Sequence, residues 1–504
     1  MDQTVQPASF WQRFGAILFI IGCMIGAVVI SRLFLIHNSL RLDEAQSLFQ
    51  TAHSFGGTLK VVAQDVHVPL YHVILHFWQL YVGQDIETVR SLSLIFFLLT
   101  IPMMYVLARR LLPVKWSLAV VALFSFSPFM NWYANEARMY TLLVLLSTLS
   151  QYYFLKLIES RGTKGWLGYT LTALVGIYSH YFFAFNLLCQ GIYFLLARKQ
   201  FDKGTLKRFI ILAVVLLVEL APWLYYFYSL GSASNTSPNL PSPSSVDFFN
   251  VFSQFSFGFQ NNNVNTILLS MWPILVIMAL LSVKYGQRIS SKMAYIMAAG
   301  ILPIILAFIF SYLLTPFFLG RYMVACVPPL TILLIWLVSN YKRPLYRAVT
   351  VGLFALLIGV SAQQYFSQST PVEENYRLAA STISAKAKSR DVVVLSAPFT
   401  VYPFDYYYTG PARVHTLPEW NREVPGPIPA FNAKTLPQQV AALNKNHQYA
   451  YVLLSFNQGY EDQVFQYYQR HFEHTGSQRI SPDLRLEIYR VGYDQIKPLG
   501  PVQP

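Results

Sequence analysis

Asp43 and Glu44 stand side by side in "LDEAQSLFQ", a few residues beyond an apolar run from Phe14 to Ile36. A carboxylate within hydrogen-bond reach of a hydroxyl can take its proton as the oxygen attacks. Arg138 in "NWYANEARMYTLL" and Arg321 in "PFFLGRYMVACVPPL" each open an apolar run. A helix start already presents positive charge and disfavours a cation, so two arginines there need a reason. A bound anion supplies one, because free backbone N–H groups and a guanidinium together suit phosphate. Glu136 is placed to orient Arg138 or to raise the pKa of a nearby base by like-charge repulsion. Asp65, His67 and Tyr71 flank a second helical stretch, and Tyr140, His180 and Tyr181 lie beside further apolar runs. His67 and His180 are candidates for contact with phosphate or with an acceptor. Plainer readings stand beside these: Asp43 as a helix N-cap, and both arginines snorkelling to lipid headgroups. The pair His72 and His76 has metal-ligand spacing, but no carboxylate shares its face, so an interfacial helix interrupted by two polar residues is the expectation.

The elements that must position these residues are membrane helices. Hydrophobic residues make up 54% of the 504, charged residues 12%, and mean hydropathy is +0.40. A soluble chain carries about a quarter charged residues. Apolar runs fall near 14–36, 90–108, 117–131, 139–157, 166–183, 183–197, 209–228, 266–283, 293–314, 322–340 and 348–366, which predicts about eleven transmembrane helices. The first run is read as a retained span. Lys and Arg crowd the segments that alternate with the acidic loops, as at Arg109, Arg110 and Lys115 or at Arg198, Lys199 and Lys203. The positive-inside rule then places the N-terminus inside and Asp43, Arg138 and Arg321 outside. The net charge of +14 is therefore topological, and nucleic-acid binding is not needed to explain it. Cys23, Cys189 and Cys326 all lie in apolar runs and suggest neither disulfides nor a metal site.

Residues 1–366 read as the transmembrane domain. It includes an outer loop, 37–89, with interfacial helices, and a Ser/Pro/Asn-rich outer loop, 229–265, expected to be mobile. Residues 367–504 read as an extracytoplasmic α/β domain, with charged helical patterns at 373–387 and 460–473 and strand-like runs "DVVVLSA", "YAYVLLSF" and "LRLEIYRV". The aromatic run "YPFDYYY" is expected as a strand edge or core.

"LDEA" after the first span, "HVPLYHVILHFW", "NEARMYTLL", "YSHYFFAF" and "RYMVACVPPL" resemble the ordered landmarks of bacterial glycosyltransferase family 39 proteins, over about residues 10–370. These belong with the dolichyl-phosphate-mannose–protein mannosyltransferase-like superfamily of glycosyltransferase fold type C. The family's "HPPLYY" reads His67-Val68-Pro69-Leu70-Tyr71-His72 here, so one proline and one tyrosine are missing. The resemblance implies sugar transfer from a polyprenyl-phosphate donor to a glycan, lipid or protein acceptor, outside a bacterial cytoplasmic membrane. It matches Asp43 to the family's base and Glu44 to its acidic neighbour. A direct displacement at the anomeric carbon inverts its configuration, with Arg138 and Arg321 facing the leaving phosphate. That leaving group is already ionised, so no general acid and no cofactor are required; a divalent metal held by Asp43, Glu44 and a histidine stays open. The competing class is a transporter or flippase of lipid-linked sugars. It predicts acids near the bilayer midplane and paired halves. Only Glu219, inside the seventh run, fits it.

Overall fold

The computed structural model describes residues 10–65, 67–230, 240–259, 280, 289–341, 343–361, 374–424, 428–455 and 459–492. The chain divides into two compact units. One comprises Met1–His37, Ser54–Gly231 and Ser237–Ser367; the other comprises Asn38–His53, Ser232–Thr236 and Gln368–Pro504.

The first unit is helical. Six of its described helices are long and apolar enough to cross a membrane: Phe10–Leu35, Ile86–Ala108, Tyr140–Glu159, Thr205–Ser229, Ser291–Leu313 and Gly320–Ser339. A bent pair, Val114–Ser125 and Pro128–Ala134, makes up to seven. The bend of 56° sits at Ser127, whose backbone is extended because the following Pro128 disfavours the helical region there. Eleven spans were expected from apolar runs. The runs 166–183 and 183–197 form separate helices, divided at His180 as expected, but of only 14 residues each, Trp166–Ser179 and Phe183–Leu196. Each is about 21 Å long, short of a 30 Å hydrocarbon core. The run at 266–283 lies outside the described residues, and the last forms a helix over Pro344–Ser361.

Helix α8, Tyr140–Glu159, is the most enclosed of these together with Gly320–Ser339, with 67% of its apolar window buried. Helix α11, Thr205–Ser229, is only 11% buried and offers Ile210, Val214, Leu217 and Val218 outward, as a lipid-facing helix does. The Ser/Pro/Asn-rich segment differs from expectation in part. Residues 231–239 and 260–265 lie outside the described residues, but Ser245–Phe257 is a helix. Ser244 caps it by accepting from the Asp247 N–H, and Asp247 returns the bond to the Ser244 N–H at 2.7 Å. Its buried face, Val251, Phe255 and Phe257, includes the Phe255–Phe129 ring contact at 5.0 Å.

The second unit is an α/β domain joined by a short piece of the loop after the first span. Five strands form one mixed sheet in the order β2-β1-β3-β5-β4: β1 Val392–Ser396, β2 Arg413–Leu417, β3 Tyr449–Ser455, β4 Glu473–Ser481 and β5 Leu484–Arg490. β1 runs parallel to β2 and β3, and β5 runs antiparallel to β3 and β4. β1 is buried at every position, which matches a central strand covered on both faces. Two apolar clusters cover the faces, one built on Tyr376, Ile383 and Phe404, the other on Val440, Val464 and Tyr468. The run "YPFDYYY" is helical as far as Tyr407, in the helix Val401–Tyr407, rather than a strand.

Candidate active site

The helix that carries Asp43 and Glu44, α2, spans Leu42–Thr51 and belongs to the second unit. Arg41, with an extended backbone, is its N-cap, so Asp43 is not the cap that the sequence suggested. Glu44 supplies the stabilising contact instead: its Oε2 accepts the Arg41 backbone N–H at 3.1 Å. Glu44 is fully buried and Asp43 half-buried. Both acids lie in the first turn, where the helix dipole favours negative charge. The dipole and the cap contact account for Glu44 as a structural residue. Asp43, by contrast, keeps part of its surface accessible.

A polar cluster forms in the first unit around Arg138, which is 4% exposed and sits just before α8. Its backbone is held from behind: Ser93 Oγ donates to the Arg138 carbonyl at 3.1 Å, and Tyr71 Oη meets Ser93 Oγ at 2.9 Å. In front, a guanidinium nitrogen lies 3.1 Å from His67 Nε2. A guanidinium only donates, so Nε2 accepts and His67 carries its proton on Nδ1. Asp65 Oδ2 lies 3.5 Å from the same Nε2. His72 stacks on His67, with ring centroids 5.4 Å apart and 23° between planes, and is fully buried. Burial holds its pKa well below the ordinary histidine value, and the positive charge of Arg138 adds to this. His72 is thus neutral in the position where the resemblance expects a tyrosine.

Arg321 opens a 3-10 turn, Gly320–Cys326, that leads into the helix Val327–Ser339. Its guanidinium lies 5.5 Å from the Tyr322 ring. His180, nine-tenths buried between the two short helices, is within electrostatic reach of both Arg138 and Arg321. Aromatic rings join these groups: His180–Tyr322 at 5.8 Å, His180–Tyr140 at 6.2 Å and Tyr140–Tyr133 at 4.9 Å. Phe182 stacks on Tyr322 at 4.7 Å, and neither was singled out from sequence. Glu136 is buried in the turn before Arg138, whose N–H donates to the Glu136 carbonyl at 2.7 Å. Tyr181 is placed differently, packing with Val62, Val68 and Trp223 and accepting from Trp223 Nε1 at 3.3 Å. The structure therefore brings Asp65, His67, Tyr71, Glu136, Arg138, Tyr140, His180 and Arg321 into one connected cluster. Among the described residues no three His, Cys, Asp or Glu side chains converge as a metal-ligand set.

Such a cluster has two cations, neutral imidazoles and stacked rings beside membrane helices, a chemistry suited to a phosphate with an attached sugar. Residues 66–226 match the family described as dolichyl-phosphate-mannose-protein mannosyltransferase. The fold is that of ArnT from Cupriavidus metallidurans. The apo crystal structure aligns over 94% of this chain and 98% of that one, with a TM-score of 0.60 and 14% identity. The family likeness thus covers about a third of the chain, and the likeness in fold covers nearly all of it. The structure of ArnT bound to undecaprenyl phosphate aligns over the same shares, with a TM-score of 0.56 and 14% identity. No curated protein matches the sequence. The family match contains His67, Tyr71, Glu136, Arg138, Tyr140, His180 and Tyr181, and it leaves Asp43, Glu44, Asp65 and Arg321 outside.

Proposed function

We propose that this protein is a membrane glycosyltransferase that moves a sugar from a polyprenyl-phosphate donor to a hydroxyl on a glycan, lipid or protein acceptor, at the extracytoplasmic face of a bacterial cytoplasmic membrane. The observation that carries the reading is the buried Arg138, held by His67 and Ser93, sharing the field around His180 with Arg321. A buried guanidinium beside imidazoles and aromatic rings suits an anionic ligand, and a lipid phosphate at the membrane edge is such an anion.

In this reading Asp43 takes the proton from the acceptor hydroxyl as that oxygen bonds to the anomeric carbon. The bond from that carbon to the phosphate oxygen breaks on the opposite face, so configuration inverts. Polyprenyl phosphate leaves with the electron pair and needs no proton from an acid. Arg138 and Arg321 stabilise the charge that gathers on its oxygens. Glu44 holds the helix start, and Glu136 and Asp65 shape the field around the arginines. The reaction balances without a metal; a divalent ion remains compatible with the acids of the first turn.

The test is release of undecaprenyl phosphate from a panel of synthetic undecaprenyl-phosphate hexoses and pentoses, with a cell-envelope extract as acceptor source. Asp43→Asn is expected to lower release by about 10²–10⁴-fold while undecaprenyl phosphate binding is kept. Asp43 is not the N-cap, so this exchange leaves the helix intact. Near wild-type release from folded Asp43→Asn protein would remove Asp43 from the chemistry.

A further inference from the structure

The α/β domain holds the Asp43 helix on both sides of that residue. Before it, the Leu40 N–H donates to Tyr407 Oη at 2.9 Å, and Ser39 Oγ accepts the Arg377 N–H at 3.2 Å. After it, Phe49 packs against Tyr402 at 5.2 Å, and the Arg422 guanidinium covers the Phe49 ring at 4.8 Å. Arg422 is itself anchored to Asp405 at 3.0 Å. With 10 residues, α2 is too short to be stable through its own backbone, so its placement comes from what it packs on.

We propose that the C-terminal domain is a positioning device for the catalytic base, with Tyr407 and Arg422 as positioning residues that fix α2 at its two ends. The inference rests on the reading of Asp43 as that base. A general base works only within about 2.6–3.2 Å of the proton it takes. A misplacement of about 1 Å costs on the order of 10²-fold in rate. A domain that supplies no reacting group can therefore control turnover through α2 alone. The same domain also meets the charge of this helix. Partial burial of Glu374 raises its carboxyl pKa, with Arg41 opposing the rise and Asp43 adding to it.

The experiment uses the full chain in nanodiscs. Tyr407→Phe, Arg422→Met and Arg422→Lys are each made in the wild-type and the Asp43→Asn backgrounds. Tyr407→Phe removes one oxygen and leaves the ring, so it keeps the test valid if Arg422→Met fails to fold. In the wild-type background, Tyr407→Phe and Arg422→Met are expected to speed hydrogen exchange across residues 38–53 and to lower release of undecaprenyl phosphate about tenfold. Affinity for undecaprenyl phosphate itself stays unchanged, and Arg422→Lys recovers part of the rate. In the Asp43→Asn background the same changes cause no further loss, because there is no base left to position. Equal fractional losses in both backgrounds would overturn positioning in favour of general damage. Unchanged exchange and rate, with Asp43→Asn inactive, would overturn the clamp while keeping Asp43 as base. Full activity in Asp43→Asn alone would remove the base reading, and this inference with it.

Discussion

Arg138 and His67 are 71 positions apart and meet at 3.1 Å, so each depends on the other. Arg138→Ala should weaken undecaprenyl phosphate binding by about 1.5–3 kcal/mol, the range for a hydrogen bond to a charged group. His67→Ala leaves the cation in place but frees its orientation, so its loss should be smaller. Calorimetric titration of both variants checks the order; equal affinity in wild type and Arg138→Ala would favour snorkelling. The arginines were legible in the sequence because each broke two rules at once, the charge bias of loops and the polarity of helix starts. The partner was not legible. Nothing in "HVPLYHV" says that His67 accepts from Arg138, since that contact is made by chain folding over long separation. Residue type alone also allows Asp43 as a helix cap. The cap fell to Arg41 because Glu44, three residues on, reaches back to its N–H, a contact that suits Glu better than Asp. Glu44→Gln keeps an acceptor for that N–H and should be mild. Glu44→Ala strips it and should fray the first turn, visible as faster exchange at Arg41.

At the scale of elements, charge and burial set how firmly the second unit is held. Glu374 precedes Asn375, the N-cap of helix Tyr376–Lys386, and its carboxyl is raised above 4.5, chiefly by burial. A raised carboxyl favours the protonated form in the folded state. Its stabilising contribution is therefore present below about 4.5 and is lost as pH rises through the raised value. Gln imitates the protonated form, so Glu374→Gln should melt higher than wild type at neutral pH. The gap should close as pH falls towards 4.5, and a gap that is constant with pH would contradict this account. Strands β1, β3 and β5 were legible as continuous apolar or alternating runs. β4 was not, because an edge strand shows water a polar face, and Glu473, His474 and Thr475 are all exposed. The helix Ser245–Phe257 was hidden by the Ser/Pro/Asn tract before it, although Ser244 and Asp247 carry a capping-box pattern. The short helices either side of His180 read as full spans because hydropathy reports apolar length, not where the backbone turns.

For the whole molecule, orientation in the bilayer follows from where cations sit. The segment after the helix Phe183–Leu196 carries Arg198, Lys199 and Lys203 within a few residues and leads directly into α11. Moving such a cluster across a membrane is unfavourable, so this segment is expected on the cytoplasmic side. Helix α11, the expected span at 266–283, Ser291–Leu313, Gly320–Ser339 and Pro344–Ser361 then carry the chain across five times towards residues 374–492, whose basic and acidic residues are nearly balanced and give no orienting signal of their own. The expected arrangement puts this domain, and α2 with it, on the extracytoplasmic side, where a lipid-linked sugar and an envelope acceptor meet. Lys203 and Ser389 are both exposed, which makes them fair reporters. In intact cells, a membrane-impermeant maleimide should label Ser389→Cys and spare Lys203→Cys, and both should react once the membrane is opened. Cys23, Cys189 and Cys326 are buried and should contribute little background. Labelling of Lys203→Cys from outside would invert the topology. It would also put Asp43 on the side of soluble nucleotide sugars, and the case for a lipid-linked donor would lose its geometric support.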